Sequence, residues 1–209
     1  MKKIMNIDSP ALESMSRQEL SRLFPIILVK YDPEWPFRYE QEAADIQRSI
    51  PANNWYRIRH FGSTSVPGLD AKPTIDILLE IHIGSDLDSI IEIFKNRSYY
   101  YSPQPENPAP HMMFMKGYTP DGFSGQAFHV HVRYPGDWDE IYFRDFLRTH
   151  PETAAEYASL KHQLKNQFEY DRDGYTHAKS DFIQHYTKIA KENIRNLSAK
   201  YSDDQQSDC

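Results

Sequence analysis

One stretch constrains this chain more than any other: residues 60–81, HFGSTSVPGLDAKPTIDILLEI. A hydroxyl-rich turn leads through Pro67-Gly68 into an apolar run, residues 74–83, interrupted by Asp76 and Glu80. Such a run reads as a strand, and a strand apolar on nearly all sides belongs in the middle of a sheet. Pro67 and Gly68 fit the two central positions of a type II turn, the second of which needs positive φ. Gly62 lets the backbone approach a ligand closely, and Ser63, Thr64 and Ser65 offer hydroxyls and N–H groups. Lys72 has the reach and charge to meet an anionic phosphate. On a strand, residues two apart share a face, so Asp76, Leu78 and Glu80 point the same way. An ionised acid beside so much apolar surface requires a cation, a metal or several donors. The same residues also describe a tight loop whose N–H groups bond Asp76. The stretch is not a P-loop, since no Gly-Lys-Ser/Thr closes it.

Around this stretch the chain alternates in period. Residues 25–31, PIILVKY, read as a first strand, and 32–50 as a helix with Asp32 at its cap. Residues 55–62, WYRIRHFG, alternate as a strand. Residues 84–97 read as a helix opened by Ser85 and Asp88 at capping-box spacing. The Pro-rich 98–111 is expected to be irregular. MMFMKGY (112–118) and AFHVHVRY (127–134) read as strands joined by a hairpin loop, TPDGFSGQ. Three helical stretches follow at 138–150, 151–170 and 174–197, with Pro151 at a first helical position and Asp173 as a cap. Strands come early and helices late, which is an α+β order. Residues 1–24 read as an extension with a short docked helix, 25–195 as the domain and 196–209 as a polar, flexible tail.

Composition excludes several classes. The net charge of −6 argues against a broadly basic nucleic-acid binder, so a nucleic-acid partner is not expected. No apolar run is long enough to span a membrane, and the N-terminal residues lack a signal-peptide apolar core. The single cysteine, Cys209, rules out an internal disulfide and a Cys-based metal site. A cytoplasmic protein is the expectation. With 14 Tyr and 11 Phe, large rings carry much of the packing, and Trp35, Trp55 and Trp138 read as core or rim anchors.

In AFHVHVRY, His129, His131 and Arg133 alternate with Phe128, Val130 and Val132. If the polar face lines the same cleft as Asp76, two imidazoles and one carboxylate can ligate a divalent metal, with Mg, Mn and Zn as candidates. The alternative is that the histidines are hydrogen-bonded cleft residues or phosphate donors. Arg144 and Arg148, Lys161 and Lys165, and Tyr175 and Lys179 stand at i, i+4 on helices. The plain reading of each pair is a solvated helix face.

YDPEWPFRYEQE, HFGSTSVPGLDAKPTIDILLEI, FHVHV and FRDFLRTHPETAAEYASLK together resemble the GrpB family, over about residues 26–192. That family is placed in the nucleotidyltransferase-like superfamily, related to DNA polymerase beta and the aminoglycoside nucleotidyltransferases. The resemblance implies a small mixed sheet flanked by helices with a C-terminal helical part. It also implies a nucleotide or other phosphorylated small molecule as ligand. In the superfamily a Gly-Ser pair is followed by two acids, spaced by one residue, on the next strand, and these hold metal. Gly62-Ser63 matches the pair and Asp76 the first acid, but the second position is Leu78. Glu80 lies on the same face at about 13 Å, too far to share an ion. Residues 127–134 carry no acid, so the two-metal carboxylate set is incomplete. Resemblance also raises Arg144, Tyr175 and Lys179 as phosphate contacts. GrpB-like domains occur joined to dephospho-CoA kinases, which implies a link to nucleotide or coenzyme A metabolism.

Three functions fit these residues. One is a nucleotidyltransferase with an altered, single-metal centre, in which Asp76 holds the metal, Ser63 and Thr64 bind phosphate, and His129 or His131 is ligand or general base. Another is a catalytically inactive module binding a nucleotide or CoA-related ligand. The last is a protein-interaction domain whose cleft is incidental.

Overall fold

The computed structural model describes residues 12–206. Expectations for residues 1–11 and 207–209 lie outside the described residues, and the rest of the expected flexible tail, 196–206, is helical instead. Five strands form one mixed sheet: β1 (Trp55–Phe61), β2 (Thr74–Ile81), β3 (Tyr100–Pro103), β4 (Met112–Thr119) and β5 (Gly122–Arg133), in the order β1-β2-β5-β4-β3. Only β2 and β5 pair in parallel; the other neighbours are antiparallel. The chain is thus an α+β protein with a small mixed sheet, and β2 is interior to it as its apolar run demands.

Alternation on β2 and β5 sorts the two faces of the sheet. Ile75, Ile77, Leu79 and Ile81 of β2 join Phe128, Val130 and Val132 of β5 in the main core. Two helices cover that face, α2 (Trp35–Ser49) with Trp35 and Ile46, and α3 (Leu87–Lys95) with Ile90 and Phe94. Asp76, Leu78 and Glu80, with His129, His131 and Arg133, occupy the other face. Beyond it lies the helical part: α4 (Asp139–Thr149), α5 (Pro151–Phe168), α6 (Arg172–His177) and α7 (Ser180–Gln206). A smaller core of Val66, Leu69, Phe143, Leu147 and Tyr157 joins these helices to the loop before β2. Near the N-terminus, α1 (Arg17–Leu23) is closed by a Ser16–Glu19 capping box, and Leu20 and Leu23 pack on Phe24 and Tyr118.

Several local expectations are overturned. Residues 25–31 are not a sheet strand, because their backbone bonds go to two separate partners. Ile26 N donates to Glu169 O at 2.8 Å, and Val29 forms an isolated bridge with Ala71. Within the Pro-rich segment, 100–103 is strand β3. Tyr101 packs on Phe114 at 5.4 Å and Tyr99 on Phe94 at 5.0 Å, and an edge strand tolerates Pro103 at its end. The hairpin loop shrinks to Pro120 and Asp121, since β5 already starts at Gly122. Asp86, not Ser85, caps α3, accepting from Ser89 N at 3.1 Å. The last helical stretch is two helices. Asp171 caps α6 by accepting from Gly174 N at 2.9 Å, and Asp173 sits inside that helix.

Candidate functional site

The loop after β1 is built against Asp76. Val66 to Leu69 form the expected turn, with Leu69 N donating to Val66 O at 3.2 Å and Gly68 at φ 77°. Gly62 has φ 71°, and a Cβ there would collide with the Asp76 carboxylate. Glycine is therefore required twice over, by conformation and by close approach. Ser63–Ser65 make a single 3-10 turn. Thr64, 1% exposed, donates to Thr74 O at 3.2 Å and shares a hydrogen bond with His60 Nε2 at 3.0 Å. Ser65 Oγ donates to Gly62 O at 2.6 Å. The Thr64 hydroxyl fastens the loop to the head of β2, that of Ser65 closes the turn on itself, and Ser63 remains on the cleft wall.

The parallel register sets Asp76 beside His129, and Leu78 beside His131. Asp76 Oδ1 stands 3.6 Å from His129 Nδ1 and 3.7 Å from His131 Nε2. All three donor atoms lie within 4.8 Å of one another. Ligands about 2.0–2.2 Å from a tetrahedral ion sit roughly 3.3–3.6 Å apart, so the carboxylate–imidazole spans are close to what a chelating set needs. Tyr118 OH bonds His129 Nε2 at 2.7 Å, which leaves Nδ1 facing Asp76. The edge of Phe61 meets the His131 ring at 5.1 Å. Burial by itself raises the Asp76 carboxyl, but the facing imidazoles of His129 and His131 outweigh it and hold it well below the ordinary carboxylate range. Burial also pushes His129 down, against the pull of Asp76. An ionised carboxylate and a neutral imidazole are the protonation states a cation requires. Two nitrogens and one oxygen suit a transition metal such as Zn better than Mg or Mn, which prefer oxygen.

Opposite this triad the cleft is cationic. It encloses about 480 Å³, and Lys72, Lys161, Arg172 and Lys179 line it with Asp76, Asp173, Ser63 and Tyr175. Lys161 Nζ donates to Ser63 Oγ at 3.2 Å and also bonds the Asp70 carbonyl. Lys179 lies 4.2 Å and Lys72 5.7 Å from the Tyr175 ring centre. Burial first, then repulsion from Lys179, pushes Lys161 down to about 7. Burial and Lys72 do the same to Lys179, also to about 7, and burial and Arg172 bring Lys72 to about 8. An acidic protein thus gathers four basic side chains in one concavity.

Of the residues singled out in the sequence, Gly62, Ser63, Lys72, Asp76, His129, His131, Tyr175 and Lys179 share this cleft. Thr64 is adjacent but committed to the loop. Arg144 lies elsewhere: Nη1 donates to His60 O at 2.7 Å, and the rest of the guanidinium pairs with Asp145, tethering α4 to β1. Arg148 likewise donates to Ser65 O at 2.9 and 2.7 Å rather than facing solvent alone. Glu80 is at the far end of β2, apart from the triad, in a network with Arg57, Arg59 and Trp138. Sequence reasoning missed Lys161, Arg172, Tyr157 and Tyr118. Lys161 reads as a solvated face when paired with Lys165. Its signal was its place on the buried stripe Thr153, Tyr157, Lys161, Leu164 of α5.

Comparison with known proteins bears on family and fold. Residues 25–189 match the GrpB protein family profile. A UPF0157 protein of Pseudomonas aeruginosa is 40% identical over 153 residues, covering 73% of this chain and 62% of that protein. The chain therefore spans less than two thirds of that relative's length. Glutamate-rich protein GrpB of Alkalihalophilus pseudofirmus is 30% identical, over 76% of this chain and 91% of its own. The crystal structure of the conserved protein GrpB from Enterococcus faecalis superposes with a TM-score of 0.70 at 28% identity, covering 80% of this chain and 99% of that one.

Proposed function

The chain belongs to the GrpB family, with its nucleotidyltransferase-like fold, and from that footing we propose that the cleft binds a nucleotide or similar phosphorylated small molecule with one divalent transition-metal ion and transfers its nucleotidyl group to a hydroxyl acceptor, the bond from the α-phosphorus to pyrophosphate breaking as the bond to the acceptor oxygen forms. One observation carries the reading: a His₂-carboxylate set and a lysine wall meet in the same cleft, at the Gly62-Ser63 loop. Asp76, His129 and His131 are the residues that hold the ion. Bound there, the ion supplies charge that neutralises phosphate oxygens. The chain's own residues do the rest of the binding. Lys161 and Ser63 donate to phosphate oxygens. Gly62 keeps the loop close to Asp76, and Tyr118 holds His129 in the tautomer that presents Nδ1. Residues 25–195 are the functional unit of this reading, in a cytoplasmic setting. No helix among the described residues is long and apolar enough to cross a membrane.

The test uses the full chain, with each nucleoside triphosphate and with Zn²⁺, Mn²⁺, Mg²⁺ or EDTA. Metal and nucleotide uptake are followed by calorimetry, and pyrophosphate release by a coupled assay. Transfer predicts metal-dependent pyrophosphate release that disappears in Asp76→Asn while the fold is kept by circular dichroism. Nucleotide binding with no release under any metal, with water and glycerol offered as hydroxyl acceptors, reduces the protein to a binding module. Absence of both binding and release removes the nucleotide reading.

A further inference from the structure

Three lysines in one cleft are a costly arrangement. Lys161 is 2% exposed, and among the described residues neither it nor Lys72 nor Lys179 has a carboxylate within ion-pair distance. Asp70, the acid nearest Lys161 along the loop, is occupied by Lys30 at 3.0 Å and His162 at 2.9 Å. Asp76 faces its two imidazoles. Buried lysines are rarely left unpaired, because an uncompensated charge is expensive to desolvate. A second observation falls at the same place. Tyr175 lines the cleft, is 1% exposed, and its buried hydroxyl has no hydrogen-bond partner. An orphaned buried hydroxyl calls for an explanation, and an absent ligand is one. Lys72 and Lys179 stand over the ring of this same tyrosine. Counting charges, the lining holds four cationic side chains against the carboxylates of Asp76 and Asp173.

We infer that Lys72, Lys161, Lys179 and Tyr175 form a seat for a terminal phosphoryl group, the doubly charged end of a phosphomonoester or polyphosphate, distinct from the Asp76 triad. Lys72 and Lys179 present up to three donors each, Lys161 the one that Ser63 and the Asp70 carbonyl leave, and the tyrosine one, enough for the three free oxygens of a terminal phosphate. An internal diphosphodiester has one charge per phosphate and no such end, so it fills the seat badly. The inference rests on the cleft being the ligand site, as proposed above, and adds which end of the ligand the lysine wall takes.

The probes are inorganic tripolyphosphate, adenosine triphosphate and the dinucleotide NAD⁺, titrated calorimetrically into the full chain in EDTA. Tripolyphosphate and adenosine triphosphate should bind at least tenfold more tightly than NAD⁺. Lys161→Met and Lys179→Met should each weaken tripolyphosphate by about tenfold or more, and Tyr175→Phe by about threefold to tenfold. Without ligand, the lysine variants should melt higher than the wild type, since each relieves a buried like-charge repulsion. That readout also shows that they fold. Tripolyphosphate binding without any nucleotide effect keeps the seat and removes the nucleotide reading. Metal-dependent nucleotide binding indifferent to all three substitutions keeps the nucleotide reading and removes the seat. Equal affinity for NAD⁺ and adenosine triphosphate overturns it as well.

Discussion

Asp76 and Glu80 lie on one strand and one face, four residues apart, and are treated in opposite ways. Glu80 is fully buried and closed off. Arg57 Nε donates to it at 2.6 Å, Arg59 Nη2 at 3.1 Å, Trp138 Nε1 at 2.9 Å and Gly136 N at 3.2 Å. Burial alone raises its carboxyl, and the hydrogen bonds from Arg57, Trp138 and Gly136 more than reverse that. Asp76 has its imidazoles at 3.6 and 3.7 Å, too long for hydrogen bonds, and it opens on a cleft. A carboxylate whose acceptor capacity is used up by the protein holds the fold together. Asp76 keeps acceptor capacity that the protein does not use, beside lysines with no carboxylate within ion-pair distance among the described residues.

That contrast can be broken most directly by removing each acid. Glu80→Ala leaves Arg57 and Arg59 without their acid and Trp138 Nε1 without an acceptor, and should cost about 3–5 kcal/mol in urea denaturation. Asp76→Ala should cost clearly less, because no hydrogen bond goes with it and only the attraction of His129 and His131 is lost. A comparable loss from both would show that Asp76 is structural too. Next in size is Gly62→Ala. Left-handed strain of about 1–2 kcal/mol adds to the collision with Asp76, so metal affinity should fall well over tenfold while Glu80 is untouched. Retained affinity would mean that the loop does not govern the carboxylate. Tyr118→Phe takes the hydroxyl from His129 Nε2, and about a tenfold loss of metal affinity in a folded protein is expected. A further effect is one of pH. Lys161 and Lys179 titrate near 7 when folded, against 10.5 when free. Between these values the unfolded chain binds more protons, so ligand-free stability should rise with pH across that window. The rise in melting temperature from pH 7 to 9 should flatten in Lys161→Met. A flat wild-type profile would mean that the lysines stay charged and solvated.

Much of the site was legible in the sequence because it depends on local periods. Alternation along 74–81 and 127–134 already puts Asp76 on one face of its strand and His129 with His131 on one face of theirs. Gly62 and Pro67-Gly68 announce backbone conformations that other residues resist. Residues 25–31 and 98–103 misled for the complementary reason. A β-branched run can be buried as a strap, and aromatic packing on Phe114 can make a strand out of a Pro-flanked segment.

By itself, then, the sequence determined the faces, the turns and the triad of Asp76, His129 and His131, since each follows from a residue and its near neighbours. Only the tertiary structure decided which faces meet. The parallel pairing of β2 with β5 brings Asp76 level with His129 across more than 50 residues of chain, a register no local pattern encodes. Helix packing sends Arg144 to the carbonyl of His60 and turns Lys161 inward to Ser63. Two long cationic side chains on neighbouring helices look alike in sequence. Their fates differ because the inward stripe of a helix is set by what it packs against.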